Sequence, residues 1–316
     1  MIDVTAMGEV LVDFTDAGIS DAGQKLFERN PGGAPANVLV ALQRLGHQTA
    51  FLGKVGDDMH GRFLRATMEA NNIDVRGLLT DPSYFTTLAF VALDEQGDRS
   101  FSFARKPGAD TQITTDELDT RLIAESRVFH IGSLSLTDEP ARSATFAALD
   151  VARSAGCVMS YDPNYRANLW PGVEAAMEQM RAVVPYMDIM KMSDNECELL
   201  AGRRDPAEAA RALVSGGVKV CCVTLGSEGA LVCTKDGVTA VPPFKTEAVD
   251  TTGAGDSFWG GFLAAFLESG LAPAEVALDE AVGMARMGNA VASLCVRKRG
   301  GIPAMPERAE VLRVLA

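Results

Sequence analysis

Histidine, tryptophan and tyrosine are scarce in this sequence, at three, two and four residues. The histidines, His47, His60 and His130, stand far apart with no H-E-x-x-H spacing, so a histidine-built metal centre is not expected. No two of the six cysteines, at 157, 197, 221, 222, 233 and 295, stand in C-x-x-C spacing. That argues against a zinc site or a disulfide framework and fits reduced, buried thiols. Basic residues are also in deficit: 29 Lys plus Arg against 42 Asp plus Glu leave a formal charge of −13. A general affinity for nucleic acid or for an anionic membrane is thereby excluded. Small anionic ligands stay open, because a few local donors can overrule the global sign. Long apolar runs are missing too. Phe258 to Leu267, near the C-terminus, is ten residues, where a spanning helix needs about 20. The first residues, Met1 to Glu9, hold no basic segment ahead of an apolar one, so a cytoplasmic protein is expected.

What is present is the composition of a globular chain: 316 residues, 47% hydrophobic and 22% charged. Apolar, β-branched runs at Val4–Met7, Thr49–Leu52, Val128–Ile131, Cys157–Tyr161, Ile189–Met192 and Val220–Thr224 read as strands. Helical patterns fall between them at Pro35–Leu45, His60–Ala70, Pro140–Ala155, Val173–Val184 and Pro206–Val214. Pro35 sits near a helix start, and Gly46, Gly156 and Gly216 follow helix ends. Strand–helix alternation of this kind predicts an α/β fold, a doubly wound parallel sheet covered on both faces. Two stretches, about 10–31 and 84–106, break the alternation with strand-like segments and no helix. In the second, Thr86–Leu93 and Arg99–Phe103 read as a hairpin whose turn, Glu95-Gln96-Gly97-Asp98, contains Gly97. The expectation is a small sheet standing off the body, either an edge extension or a lid over a site.

The most informative segment is Val249-Asp250-Thr251-Thr252-Gly253-Ala254-Gly255-Asp256-Ser257, followed by the apolar Phe258–Leu267. Small residues at 253–255 let backbone N–H groups converge, and a helix starting there adds its positive end. A phosphate, or the anionic transition state of phosphoryl transfer, fits such a place, with Asp256 beside it as a base for an attacking hydroxyl. Taken alone, the same residues also suit a tight turn with Asp256 as a helix cap. Two other nucleotide folds lack their marks. No G-x-x-x-x-G-K-[ST] run exists, and Gly8-Glu9-Val10-Leu11-Val12-Asp13 after the first strand is not the G-x-G-x-x-G of NAD-dependent enzymes.

The string D-T-T-G-A-G-D-S-F-W-G-G at 250–261 resembles the C-terminal signature of the ribokinase-like (pfkB-type) carbohydrate kinases. Gly32-Gly33-Ala34-Pro35-Ala36-Asn37 with Gly53-Lys54-Val55-Gly56-Asp57-Asp58 resembles their N-terminal signature, Asn195-Glu196-Cys197-Glu198 their N-x-x-E motif, and Thr224 to Gly229 their nucleotide-side turn. The resemblance runs in family order over nearly the whole chain. It implies one ribokinase-like kinase domain over 1–316, a three-layer, doubly wound, mostly parallel sheet with helices on both faces plus a small β-sheet lid. It implies transfer of the γ-phosphoryl of ATP, with Mg²⁺, to a sugar hydroxyl. Asp256 would be the base, ionised with help from the helix end, and the Gly253, Ala254 and Gly255 amides the anion hole. Asp13, Gly32, Gly33, Asn37, Arg105 and Arg166 would meet the sugar. Asn195, Glu198, Thr224, Gly226, Gly229 and Asn289 would meet the nucleotide, with Glu198 on Mg²⁺ through water. Many relatives also hold K⁺, for which Asp250, Thr252, Cys295, Lys298, Gly300 and Ala304 match. Relatives often pair through their lids, so a homodimer is expected.

Asp162-Pro163-Asn164-Tyr165-Arg166 resembles fructokinases and 2-keto-3-deoxygluconate kinases, and Phe129 to Leu136 resembles fructokinases. The expected acceptor is therefore fructose, giving fructose 6-phosphate. 2-Keto-3-deoxygluconate and aminoimidazole riboside are the alternatives within the family, and a non-catalytic sugar-binding protein on the same fold is the alternative outside it. Arg166 has two readings, donor to substrate oxygens or salt-bridge partner of Asp162.

Overall fold

The structure, a computed structural model, describes residues 2–93 and 99–316. Its strands are β1 (Ile2–Met7), β2 (Leu11–Ile19), β3 (Lys25–Gly32), β4 (Thr49–Gly56), β5 (Asp74–Asp81), β6 (Leu88–Leu93), β7 (Arg99–Ala104), β8 (Ser126–Ile131), β9 (Val158–Tyr161), β10 (Ile189–Ser193), β11 (Val220–Thr224), β12 (Ala230–Thr234) and β13 (Gly237–Val241). Its helices are α1 (Ala34–Arg44), α2 (Met59–Ala70), α3 (Thr120–Ala124), α4 (Ala141–Ser154), α5 (Val173–Ala182), α6 (Cys197–Ala201), α7 (Pro206–Ser215), α8 (Ala254–Ser269), α9 (Leu278–Cys295) and α10 (Arg308–Leu315). Each strand and helix read from the sequence is present.

The main sheet has the order β13-β12-β11-β10-β9-β8-β1-β4-β5, parallel from β5 to β11 and closed by two antiparallel strands. Alternating side chains feed two separate cores, as a pleated strand requires. Val220 and Cys222 of β11 join the core beneath α1, α8 and α9, whereas Cys221 and Val223 join the one beneath α4, α5 and α7. This is the three-layer, doubly wound architecture expected. Strands β3-β2-β6-β7 form a second sheet, with β2 and β6 parallel and the outer pairings antiparallel. Its strands come from the two stretches that broke the alternation. The proposed turn Glu95-Gln96-Gly97-Asp98 lies outside the described residues.

Several motif residues serve the frame. Asp58 caps α2, its carboxylate accepting from the amides of His60 and Gly61, each at 2.8 Å. Lys54 is buried against Glu117 at 2.6 Å. His130 has a structural role: its Nδ1 meets Ser160 Oγ at 3.0 Å, and the same hydroxyl accepts from Trp259 Nε1 at 3.0 Å. Burial and the Lys191 charge push the His130 pKa down to about 3, so the ring is neutral and ties α8 to β8 and β9. All six cysteines are free and buried. Among the described residues no helix is long and apolar enough to cross a membrane.

Candidate active site

Parallel strands deliver their loops to one edge, and a ligand site is expected outside their carboxyl ends, where neighbouring connections run in opposite directions. Glu9 follows β1, Asp162 to Arg166 follow β9, Lys191 and Ser193 end β10, and Thr224 ends β11. The loop 249–253 and the first turn of α8 close over them. Three cavities result. One of about 200 Å³ is lined by Glu9, Asp13, Gly33, Asn37, Asn164, Arg166, Lys191 and Thr251 to Asp256, with Val91 and Phe103 reaching in from the second sheet. One of about 390 Å³ is lined by Tyr165, Ser193, Asp194, Asn195, Glu196, Thr224 and Gly226. The third, about 590 Å³, lies among Pro243, Phe244, Ala248, Asn289, Ala292 and Val296. Asn164, Arg166, Lys191 and Gly255 belong to both of the first two cavities. Gly226 joins the second to the third, and Thr251 and Ala254 join the third to the first. The three form one groove with the glycine turn at its waist.

At that waist Gly253, at φ +75°, takes the left-handed backbone that starts α8 and that a side chain would strain. The three expected amides are not equivalent. That of Ala254 donates to Thr251 O at 3.2 Å, and that of Ser257 to Gly253 O at 2.8 Å. The first-turn amides of Gly255 and Asp256 have no intrahelical acceptor to occupy them. The Asp256 carboxylate accepts from Asn37 Nδ2 at 2.7 Å and Asn164 Nδ2 at 3.3 Å. Burial and the neighbouring Asp162 charge push its pKa up to about 6, against the pull of Lys191, the Asn37 bond and Arg166. Asp256 is thus largely ionised at pH 7 as expected, but close to titrating, and burial outweighs the help expected from the helix end.

Lys191 went unremarked in the sequence. It lies on the face of β10 shared with Ile189, beneath α8, and its Nζ bonds Asp162 Oδ2 at 2.8 Å, both side chains buried. A Cβ on residue 255 would sit 2.8 Å from that ammonium, so the first turn of α8 passes directly over it. Burial works against the Lys191 charge, but Asp162, Glu196 and Asp256 outweigh it and hold its pKa above the ordinary lysine value. A fixed cation therefore stands where the sugar-sized and middle cavities meet.

Of the expected sugar residues, Asp13, Gly33, Asn37 and Arg166 line the first cavity. Gly32 ends β3 directly against the Asp13 carboxylate, with no room for a Cβ. Asn37 does more than was expected of it, since it holds Asp256. Arg166 is not the partner of Asp162, which Lys191 takes. Burial pushes Asp13 up to about 7, with Arg166 opposing and Asp256 adding. Arg105 is corrected: it is not among the lining residues. It is buried, donating from Nε to Asp110 at 2.7 Å, from one terminal nitrogen to Thr137 at 2.8 Å and from the other to Leu134 O at 2.8 Å. It braces Leu134, which does line the cavity.

On the nucleotide side, Thr224, Gly226 and Asn195 line the middle cavity, and Asn289 lines the apolar one. Asn289 Nδ2 donates to Val241 O at 3.1 Å and Pro242 O at 3.0 Å, fixing the backbone that carries Pro243 and Phe244. Two expectations are corrected. Glu198 projects from the exposed face of α6 and pairs with Arg204 at 3.0 Å. The acid at the groove is Glu196, whose carboxylate accepts from Ser193 N at 2.7 Å and Tyr165 N at 2.7 Å. The N-x-x-E spacing is therefore filled two residues earlier, as Ser193-x-x-Glu196. Gly229 sits in the turn before β12, against Val241 and Pro243 backbone, outside the lining.

The expected cation positions partly converge. Asp250 accepts from Thr252 N at 2.9 Å, Thr252 Oγ1 at 2.8 Å and Gly300 N at 3.0 Å, and Cys295 Sγ lies 3.9 Å from Thr252 O. Ala304 is buried in the neighbouring turn, while Lys298 turns towards Glu310 at 3.7 Å. Among the described residues no group of three or more His, Cys, Asp or Glu is placed to hold a metal ion.

The profile of the pfkB family of carbohydrate kinases matches residues 1–308. Fructokinase-1 of Zea mays is 42% identical over 99% of this chain and 97% of its own length. The crystal structure of a fructokinase from Xylella fastidiosa with bound ATP superposes with a TM-score of 0.89 at 31% identity, covering 99% and 98% of the two chains. A double mutant of fructokinase from Vibrio cholerae O395, solved with fructose, ADP and potassium ion, superposes with a TM-score of 0.88 at 32% identity, covering 100% and 99%.

Proposed function

The chain belongs to the pfkB family of carbohydrate kinases, and on that premise we propose that it phosphorylates D-fructose with ATP, giving fructose 6-phosphate. The observation that carries this reading is the single groove whose sugar-sized and apolar ends meet at Gly255 and Asp256. Fructose takes the small cavity, its primary hydroxyl towards Asp256, and the adenine takes the apolar cavity beside Asn289. The triphosphate crosses the middle cavity over Gly226 and Gly255. Asp256 accepts the hydroxyl proton as the oxygen attacks the γ-phosphorus, and Asn37 and Asn164 hold its carboxylate in place. The Gly255 amide, the end of α8 and Lys191 stabilise the charge that develops on the transferred group. Mg²⁺, when bound, neutralises phosphate charge, with Asn195 and Glu196 facing its water shell. A potassium ion beside Asp250, Thr252 and Gly300 would steady the loop that carries Gly253.

Fructose is preferred over a sugar acid because Glu9, Asp13 and Asp256 share its cavity with two cations, one of them already paired with Asp162. The second sheet exposes Ile19, Leu26, Phe27 and Phe90, which supports its role as a lid and a homodimer formed through it. Six unpaired, buried thiols support a cytoplasmic location. The test is ADP release across fructose, 2-keto-3-deoxygluconate, ribose, adenosine and aminoimidazole riboside. The highest kcat/KM is expected for fructose, and another winner replaces the acceptor.

A further inference from the structure

Glu9 has no part in the mechanism above, yet it stands in the wall of the sugar cavity. It follows β1 directly, is 3% exposed, and divides its carboxylate between two tasks. Oε1 accepts from the first amide of α1, that of Ala34, at 2.9 Å. Oε2 is buried and has no hydrogen-bond partner. A buried carboxylate oxygen without a donor is costly, and native structures rarely keep one unless something else supplies the donor. The side chain has little freedom to turn elsewhere. Its own backbone oxygen lies against Gly33, where a Cβ would come within 2.5 Å, and Ala34 fixes the other oxygen. Behind it, the buried Arg105–Asp110 pair at 2.7 Å brings charge near without satisfying Oε2.

We propose that Glu9 Oε2 is a specificity-determining acceptor for a hydroxyl of a neutral sugar, one other than the hydroxyl that is phosphorylated. This rests on the fructose reading and extends it: the site recognises an uncharged polyol by giving its hydroxyls carboxylate acceptors. A hydroxyl completes Oε2 without adding charge, whereas a sugar acid would bring a further carboxylate to a wall already carrying Glu9, Asp13 and Asp256. Burial pushes the Glu9 carboxyl up to about 7, so the donor a sugar supplies also favours its ionised form.

The experiment compares wild type and Glu9→Gln on fructose and on 1-, 3- and 4-deoxyfructose. Glutamine keeps an acceptor for the Ala34 amide, so a residue that only caps α1 is replaced at little cost. The expected result is a KM for fructose raised about tenfold or more with kcat held within about threefold. On one deoxy sugar, wild type should lose about 100-fold in kcat/KM and Glu9→Gln little further, because the lost partners are the same pair. A wild-type KM in Glu9→Gln, or independent losses on every analogue, overturns the proposal. Should the variant not fold, the deoxy series on wild type decides: losses under about threefold throughout overturn it. Wild type inactive on fructose but active on another acceptor overturns the fructose reading, and this extension with it.

Discussion

The two ends of the groove are built by opposite means. The end assigned to an uncharged sugar is walled by Glu9, Asp13, Asp256, Arg166 and Lys191. The end assigned to a polyanionic nucleotide is walled chiefly by Pro243, Phe244, Ala248, Ala292 and Val296. The sugar end carries three acids against two bases, and the one charged residue lining the nucleotide end is Lys245. Hydroxyls are directional and need fixed acceptors and donors, so a neutral sugar calls for charged side chains. A nucleotide base needs a flat apolar slot, and the proposed path of its phosphates runs past backbone amides, a helix end and one lysine at the waist. The net charge of −13 therefore says nothing of the local field that holds the anion.

The contrast breaks most severely at the waist. Lys191→Met should lower kcat by about 100-fold, the scale of losing one preorganised donor to a developing anion. It should also destabilise the fold by about 3–5 kcal/mol, because Asp162 is left charged and buried. Adding Asp162→Asn should recover much of the stability seen in thermal melts and little of the rate. If the double variant regains the rate as well, Lys191 acts only as a structural partner.

A smaller effect separates the two ends by pH. Asp13 and Asp256 titrate near pH 7 and pH 6, so protons arriving as the pH falls remove the acceptors the sugar needs. The kcat/KM for fructose should fall through pH 7 to 5.5 by about tenfold or more, while the KM for ATP at saturating Mg²⁺ shifts by less than about twofold. The sign is opposite for stability. Carboxyls whose pKa is raised on folding bind protons more tightly in the folded state, so these groups cost stability above pH 7 and that cost fades on acidification. Equal pH shifts in both KM values would erase the contrast.

The same contrast governs what the sequence discloses. The nucleotide end and the glycine turn draw mostly on short stretches, 226–227 and 243–254 with one face of α9 from Asn289 to Val296, and a run such as Gly253-Ala254-Gly255-Asp256 shows its chemistry in its spacing. The sugar end is gathered from positions 9, 13, 37, 164, 166, 191 and 256, on different strands and helices. There only the residues the family resemblance reaches were legible. Asn164 lay inside the resembling stretch 162–166 but drew no role, and Glu9 and Lys191 were not legible, although a lone lysine inside the apolar strand Ile189–Ser193 was a usable signal, since a buried ammonium requires a partner. Asn195 and Glu198 matched a motif by letter, while β10 ends so that Ser193 and Glu196 face the groove. Arg105 showed the other limit, since its burial against Asp110 depends on a contact that no spacing announces. The parallel centre of the sheet and its covering helices were legible, because periodicity and capping are local, whereas β5, the antiparallel edge β12–β13 and the long helix α9 were not read.

The central claim is that Asp256, held by Asn37 and Asn164 at the turn of α8, takes the proton of the sugar hydroxyl. Turnover and fructose binding of Asp256→Asn test it most directly. The account predicts kcat lower by at least about 100-fold with fructose affinity, measured by calorimetry, within about threefold of wild type. Near-normal turnover in that variant would contradict it.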